Sequence, residues 1–249
     1  MQFEVASRSF IGSREEQQDA YYADISGDRI FAVICDGMGG SLGGAAASNA
    51  TVIKLKELVS QKNPAEGYPE FFLRAIDILD EGVVLLQRNA NAVGAGTTIV
   101  AVAIDNESLY WLAVGDSRLY IIRDKEIVQA TRDHNFALYI SQLITDGHIV
   151  ENELRGKHRD DALISFIGIG GVKIYDINEA GFTLRDGDIV LLTSDGLTNT
   201  LSNEEIRDVL IEKSLNEDLD DLFNLAFEKS YGVQDNTTCV LIKIIAGRG

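Results

Sequence analysis

Apolar positions along the 249-residue chain fall into two kinds of run. In FEVASRSFIG, DAYYADIS and RIFAVICD, β-branched and aromatic residues recur with partial alternation, which predicts three strands. From about Gly43 the period changes, and AAASNATVIKLKELV sets Val52, Leu55, Leu58 and Val59 at helical spacing. A second helix is predicted from about Tyr68 to Ala92, with Phe72, Ile76, Leu79 and Val83 on one stripe. Three strand-like runs follow: TTIVAVAIDN, SLYWLAVGD and RLYIIRDKEIVQAT. Their turns, DNES, GDS and RDKE, are too short for parallel crossovers, so these strands are expected to pair antiparallel.

Beyond them FALYISQLITDG reads as a helix, and the polar IVENELRGKHRDDA as a surface excursion. FTLRDGDIVLLTSDG is read as a hairpin leading into a buried strand. A capping box, Ser202 with Glu205 three positions on, opens a helix in LSNEEIRDVL. DLDDLFNLAFEKS is a further helix, and TTCVLIKII closes the chain as a strand. Antiparallel strands in blocks and helices in pairs predict an α+β fold. In it two antiparallel β-sheets pack as a sandwich with α-helices on both outer sides. Pro64 and Pro69 are the only prolines, and no Gly/Ser-rich linker or repeat divides the chain, so one domain over residues 1–249 is expected.

Composition narrows the class. With 45% hydrophobic and 24% charged residues the chain can bury a substantial core. No apolar run approaches the roughly 18 residues of a membrane span. The start, MQFEVASRSF, lacks the basic-then-apolar layout of a signal peptide, so a cytoplasmic location and no membrane insertion are expected. The excess of 39 acids over 22 bases gives −17, which excludes the electrostatic footprint of a nucleic-acid or anionic-membrane binder. Cys35 and Cys239 sit in apolar strand-like runs and are expected as buried free thiols. His134, His148 and His158 have no zinc-ligand spacing.

Some of the acids stand where surface charge is not expected. Asp36 in VICDG, Asp116 in LAVGDS, Asp195 in VLLTSDG and Asp235 in GVQDNTT each lie at or beside the end of an apolar strand, and Asp19 in EEQQDA opens one. A single Asp-Gly is ordinary turn chemistry, and that reading covers Asp105, Asp124, Asp186 and Asp188. Four strand-end carboxylates gathered at one sheet end would repel one another and take up protons unless a cation intervened. With no Cys/His cluster, an oxygen-only site for Mg²⁺ or Mn²⁺ is the natural choice. Gly37 could turn its own carbonyl inward, because glycine tolerates conformations other residues avoid. Arg14, five residues before Asp19, could grip a phosphate bidentately or be a surface arginine beside Glu15 and Glu16. Neither GMGGSLGG nor GIGGVK fits a P-loop or a dinucleotide fingerprint.

In this order the motifs resemble the metal-dependent serine/threonine protein phosphatases of the PP2C (PPM) type, over nearly the whole chain. GSREEQQDA resembles the family's N-terminal Arg…Asp element, VICDGMGG its second element, and GAGTTIVAVAI its Gly-Thr-Thr strand. LAVGDSRLY, TRDH, DGDIVLLTSDGLTNTLSNEEI and DNTTCVLI are similar to the elements that follow. The resemblance implies hydrolysis of phosphoserine and phosphothreonine in proteins by a metal-activated water, with two or three Mn²⁺ or Mg²⁺ ions. By position Asp36 would bridge two ions, with the Gly37 carbonyl on one and Asp195 and Asp235 completing the other. Asp116, with Asp195, would serve a weaker third ion; Arg14 would hold the phosphate, Asp19 would order water, and Asn236 would support the ligands.

Two features depart from the pattern. Met38 stands where eukaryotic members carry a histidine, as in the bacterial branch, and it cannot donate a proton. Residues 134–165 correspond to a variable flap, in which Ser165 replaces a common arginine. The expected partners are phosphoproteins made by a serine/threonine kinase, and the expected state is a monomer. The rival function is a catalytically weak phosphatase-like signalling or binding module, against which the intact acids argue.

Overall fold

The computed structural model describes residues 1–89, 92–147, 160–210 and 214–245, without the side chains at 41, 42 and 89. Among these residues twelve strands form two antiparallel sheets. The chain opens with β1 (Gln2–Phe10), β2 (Asp19–Ser26) and β3 (Arg29–Met38). Two long helices follow, α1 (Ser41–Ser60) and α2 (Tyr68–Asn89). Next come β4 (Gly96–Thr97), β5 (Ile99–Asp105), β6 (Ser108–Val114), β7 (Arg118–Arg123) and β8 (Glu126–Gln129). The rest comprises α3 (Phe136–Thr145), β9 (Asp176–Ile177), β10 (Phe182–Thr183), β11 (Ile189–Thr193), α4 (Asp195–Thr198), α5 (Asn203–Leu210), α6 (Leu215–Lys229) and β12 (Thr237–Ile245). One sheet runs β1-β12-β11-β7-β8; the other runs β10-β6-β5-β3-β2, with β4 on β3 and β9 on β6.

The near-continuous apolar runs of the central strands follow from burial on both faces. On β3, Ile30, Ala32 and Ile34 point between the sheets, while Phe31, Val33 and Cys35 point under α1 and α2. On β12, Val240, Ile242 and Ile244 join the layer between the sheets, and Cys239 and Leu241 face α5 and α6. Three apolar layers therefore hold four structural layers together, as the α+β sandwich predicts. The two cysteines are buried and free, and they lie in opposite outer layers, so they cannot pair. The stripe of Phe72, Ile76, Leu79 and Val83 is fully buried, and the Ser202–Glu205 capping box forms.

Several local expectations need correction. β5–β6 and β7–β8 are antiparallel hairpins, but β6 and β7 lie in different sheets. The short GDS link is a crossing from one sheet to the other, and Gly115 makes it with φ 107. FTLRDGDIVLL is likewise no hairpin: β10 pairs with β6, whereas β11 pairs with β7 and β12. Asp188 is more than a turn former. It is 1% exposed and accepts from Arg123 Nε at 2.8 Å and Arg123 Nη2 at 2.6 Å. Of the expected flap, residues 148–159 lie outside the described residues. Its described flanks are α3, which buries no residue, and a β-bridge between Asn135 and Leu163.

Candidate active site

β2 and β3 bring the first two acids together, because Asp19 and Asp36 are direct partners in the ladder. Asp36 is fixed by the Thr-Thr segment of the neighbouring strand. Its backbone N–H donates to Thr98 Oγ1 at 3.0 Å, and its carbonyl accepts from Thr98 N at 2.8 Å and from Thr97 Oγ1 at 2.9 Å. Thr98 Oγ1 in turn shares a hydrogen bond with Ser117 Oγ at 2.7 Å, tying Asp36 to the GDS crossing that carries Asp116. Gly37 is required for a reason other than the one expected. A Cβ there would lie 2.2 Å from the carbonyl oxygen of Gly44, so only glycine lets α1 approach β3 this closely.

The second sheet supplies the other acids. Asp195 begins α4 directly after β11, and its Oδ2 accepts from Asn199 Nδ2 at 3.0 Å. Asp235 precedes β12, and its Oδ2 accepts from Arg14 Nη2 at 2.5 Å. Asn236, 5% exposed, pins the loop between β1 and β2. Its Oδ1 accepts from Gln18 N at 2.8 Å, and its Nδ2 donates to Ile11 O at 2.8 Å and Glu16 O at 3.0 Å. Asp19 bridges the sheets: its Oδ2 accepts from Ser194 Oγ at 2.8 Å and Thr238 Oγ1 at 2.7 Å. Its Oδ1 is buried with no hydrogen-bond partner among the described residues.

Burial and crowding raise the proton affinity of these acids. Asp36 is pushed well above the usual carboxylate range by burial first, then by the charges of Asp19 and Asp195. Asp195 is raised by burial, Asp19 is raised to about 6 mainly by burial, and Asp116 to about 7 by burial and then Asp195. A cavity of about 520 Å³ is walled by Arg14, Asp36, Gly37, Asp195, Asp235 and Asn236, among others. Met38, Glu15, Glu16 and Gln18 complete much of its rim. Asp19 and Asp116 are not in its lining; Asp19 is paired with Asp36 in the ladder, and the charge of Asp195 acts on Asp116.

Among the described residues no three acidic, histidine or cysteine side chains are grouped so as to hold an ion as they stand. The donor chemistry nevertheless fits a hard divalent cation. All candidate donors are oxygens, and the crowding of Asp36 by Asp19, Asp195 and Asp116 is of the kind a cation relieves. The orphaned Oδ1 of Asp19 is a buried acceptor beside the same group. Sequence reasoning did not single out Ser194, Thr238, Thr97, Thr98 or Ser117, which orient the acids. Their one signal is that a serine adjoins two of the acids, Ser117 after Asp116 and Ser194 before Asp195.

Two sheets meeting at an acidic, arginine-edged cleft define a phosphatase-like sandwich, and comparison with known proteins agrees. A model of the protein phosphatase 2C family matches residues 7–236. The serine/threonine phosphatase Stp of Listeria welshimeri is 30% identical over 216 residues, covering 85% of this chain and 83% of its own. The structure of the S. agalactiae serine/threonine phosphatase superposes with a TM-score of 0.83 at 29% identity, covering 98% of this chain and 100% of that one. The catalytic domain of PstP in complex with two manganese ions is similar at a TM-score of 0.76 and 27% identity, over 98% and 99% of the two chains. The chain belongs to the protein phosphatase 2C family.

Proposed function

We propose that this chain is a serine/threonine protein phosphatase whose activity depends on Mn²⁺ or Mg²⁺. The observation that carries the metal dependence is the gathering of Asp36, Asp195 and Asp235 on one cavity wall, with Asp19 paired to Asp36 in the ladder behind them. So many buried acids favour one another's ionised forms only around a cation. Asp36, the Gly37 carbonyl, Asp195 and Asp235 would hold two ions, and Asp116 with Asp195 a weaker third. The chemistry such ions supply is Lewis acidity toward water and phosphoryl oxygens.

The chain's own residues do the rest. Arg14 edges the cavity with an exposed guanidinium and presents a planar fork to phosphoryl oxygens. Asp19, held by Ser194 and Thr238, keeps its free Oδ1 as an acceptor that orders water. Asn236 holds the Arg14 loop at a fixed height over the acids. Met38 lines the cavity without a transferable proton, so the leaving oxygen takes its proton from solvent or from the substrate. Without a cation the cluster offers a phosphate dianion only Arg14 among acids that repel it once ionised, so substrate binding waits on the cation.

The substrates we infer are phosphoproteins made by a serine/threonine kinase, acted on by one monomeric domain over residues 1–249. Two buried free thiols fit the reducing cytoplasm, and among the described residues no helix is long and apolar enough to cross a membrane. Hydrolysis of p-nitrophenyl phosphate and of a phosphothreonine peptide should rise from background to full turnover on adding Mn²⁺ and return to background in EDTA. Full activity in EDTA would overturn the metal requirement. No turnover of any phosphopeptide with Mn²⁺ bound would favour a binding module.

A further inference from the structure

Beyond the arginine, the catalytic cleft continues into a second hollow. A cavity of about 450 Å³ shares Arg14 and Asp235 with the first, so their ion pair stands as the partition between the two. None of the remaining lining residues carries a role in the reaction proposed above. Thr200 and Ser230 contribute hydroxyls, and Asn199 an amide. Lys229 is occupied, with Nζ donating to both oxygens of Glu205 at 2.7 and 2.6 Å. Arg14 is likewise engaged by Asp235. Both cations being neutralised, the hollow suits an uncharged guest.

Gln234 sets what kind of guest. It is 2% exposed and lines this hollow. Its Nε2 donates to Gly196 O at 2.6 Å and Thr237 Oγ1 at 2.8 Å, while its Oε1 has no hydrogen-bond partner among the described residues. A buried acceptor left without a donor costs stability unless a ligand or water supplies one. Val233, itself in the lining, is 81% exposed, and Tyr231, which directly follows the lining residue Ser230 in the chain, is 95% exposed. Ile11, 40% exposed, is carried by the segment whose Ser13 N–H donates to Gln234 O. Tyr231 is held in the left-handed region, φ 52, at a turn directly after α6.

We propose that this hollow and its rim form the subsite for the polypeptide flanking the phosphorylated residue. The main chain brings N–H donors to the polar wall, and an uncharged, apolar side chain lies against Tyr231 and Val233. The inference rests on the phosphatase reading of the adjoining cleft, with which the hollow is continuous through Arg14 and Asp235. A substrate with its phosphate at Arg14 has its next residues at this partition, so the hollow lies on the path of an extended peptide. A phosphorylated small molecule has nothing to place there.

The test compares two substrates on the Mn²⁺-loaded protein. One is p-nitrophenyl phosphate; the other is a phosphothreonine peptide library randomised over three positions on each side. Tyr231→Ala and Val233→Ser, both at exposed sites, should leave p-nitrophenyl phosphate turnover unchanged. They should lower kcat/KM for peptides with an apolar flanking residue about five- to tenfold, through KM, as expected for uncovering partly buried apolar contacts. The wild-type library should show a preference for apolar over charged residues at one flanking position, and the double variant should lose it. Equal kcat/KM of wild type and double variant on every library peptide overturns the proposal, as does a wild-type preference for acidic flanking residues. A wild type inactive on both substrates would instead overturn the phosphatase reading itself.

Discussion

Asp36 is the side chain on which most of the site converges, and its surroundings favour its protonated form, so the proposed cation would compete with a proton there. Burial and the neighbouring carboxylates hold the acids protonated above the range of an unfolded chain, Asp19 to about 6 and Asp116 to about 7. A folded-state pKa that is raised contributes stability present below about pH 4 and lost as pH rises through the folded value. In EDTA, the melting temperature is therefore expected to fall between about pH 5 and pH 7.5. Asp36→Asn should flatten that slope and raise the metal-free melting temperature at pH 7.5, while reducing turnover about a thousandfold or more. Thermal melts across pH, with and without Mn²⁺, check this; a flat wild-type profile in EDTA would show that the cluster is not strained. Asp176 does not interfere in this window. Against the opposing effect of burial, His134 and the Arg132 guanidinium hold Asp176 below its ordinary value, so its contribution is lost only on stronger acidification.

The strands and helices were legible to different depths. The long elements followed from periodicity, and α1, α2, α5 and α6 fall where helical spacing and the Ser202–Glu205 pair put them, whereas the short α4 and β9 were not foreseen. Partnership did not follow. GDS and RDGD look like hairpin turns, since a short polar link constrains its ends to be near without naming the sheet each joins. The contact between β3 and α1 was legible only as glycine. Gly37 and Gly44 pack backbone to backbone, which no pattern of apolar spacing reveals. Gly37→Ala should force α1 away from the strand, costing about 1–3 kcal/mol and lowering activity through the displaced Asp36. A denaturant titration with m unchanged and the midpoint reduced would bear this out; wild-type stability would mean that α1 can shift freely.

Across the sandwich as a whole, the acids gather at the end where β3, β11 and β12 deliver Asp36, Asp195 and Asp235. The opposite end is closed by a polar clip. Arg123 on β7 reaches Asp188 beside β11 and the Thr183 carbonyl on β10, so one guanidinium fastens the two sheets, stacked 4.7 Å over the Phe182 ring. Asp188→Ala leaves that guanidinium without its partner. It should cost roughly 2–3 kcal/mol, less than a fully buried pair because Arg123 keeps some solvent contact. Turnover by the folded fraction should stay near wild type, the clip lying at the far end. A matching loss of kcat would show that the two ends are coupled through the sheets.

Residue order alone singled out the strand-end aspartates and Arg14 that the fold brings to one cleft, and it gave the sandwich with outer helices. Each of these depends on side-chain type or on a repeat along one strand or helix, and both are written locally. Tertiary structure decided which strands share a sheet, why Gly37 must lack a side chain, and which hydroxyls hold Asp19. It also decided that Arg14 divides one cleft into two hollows. Those features arise from groups up to some 220 positions apart, such as Thr238 on Asp19 at a separation of 219. Their proximity comes from the burial of three apolar layers at once, and no local window of sequence contains it.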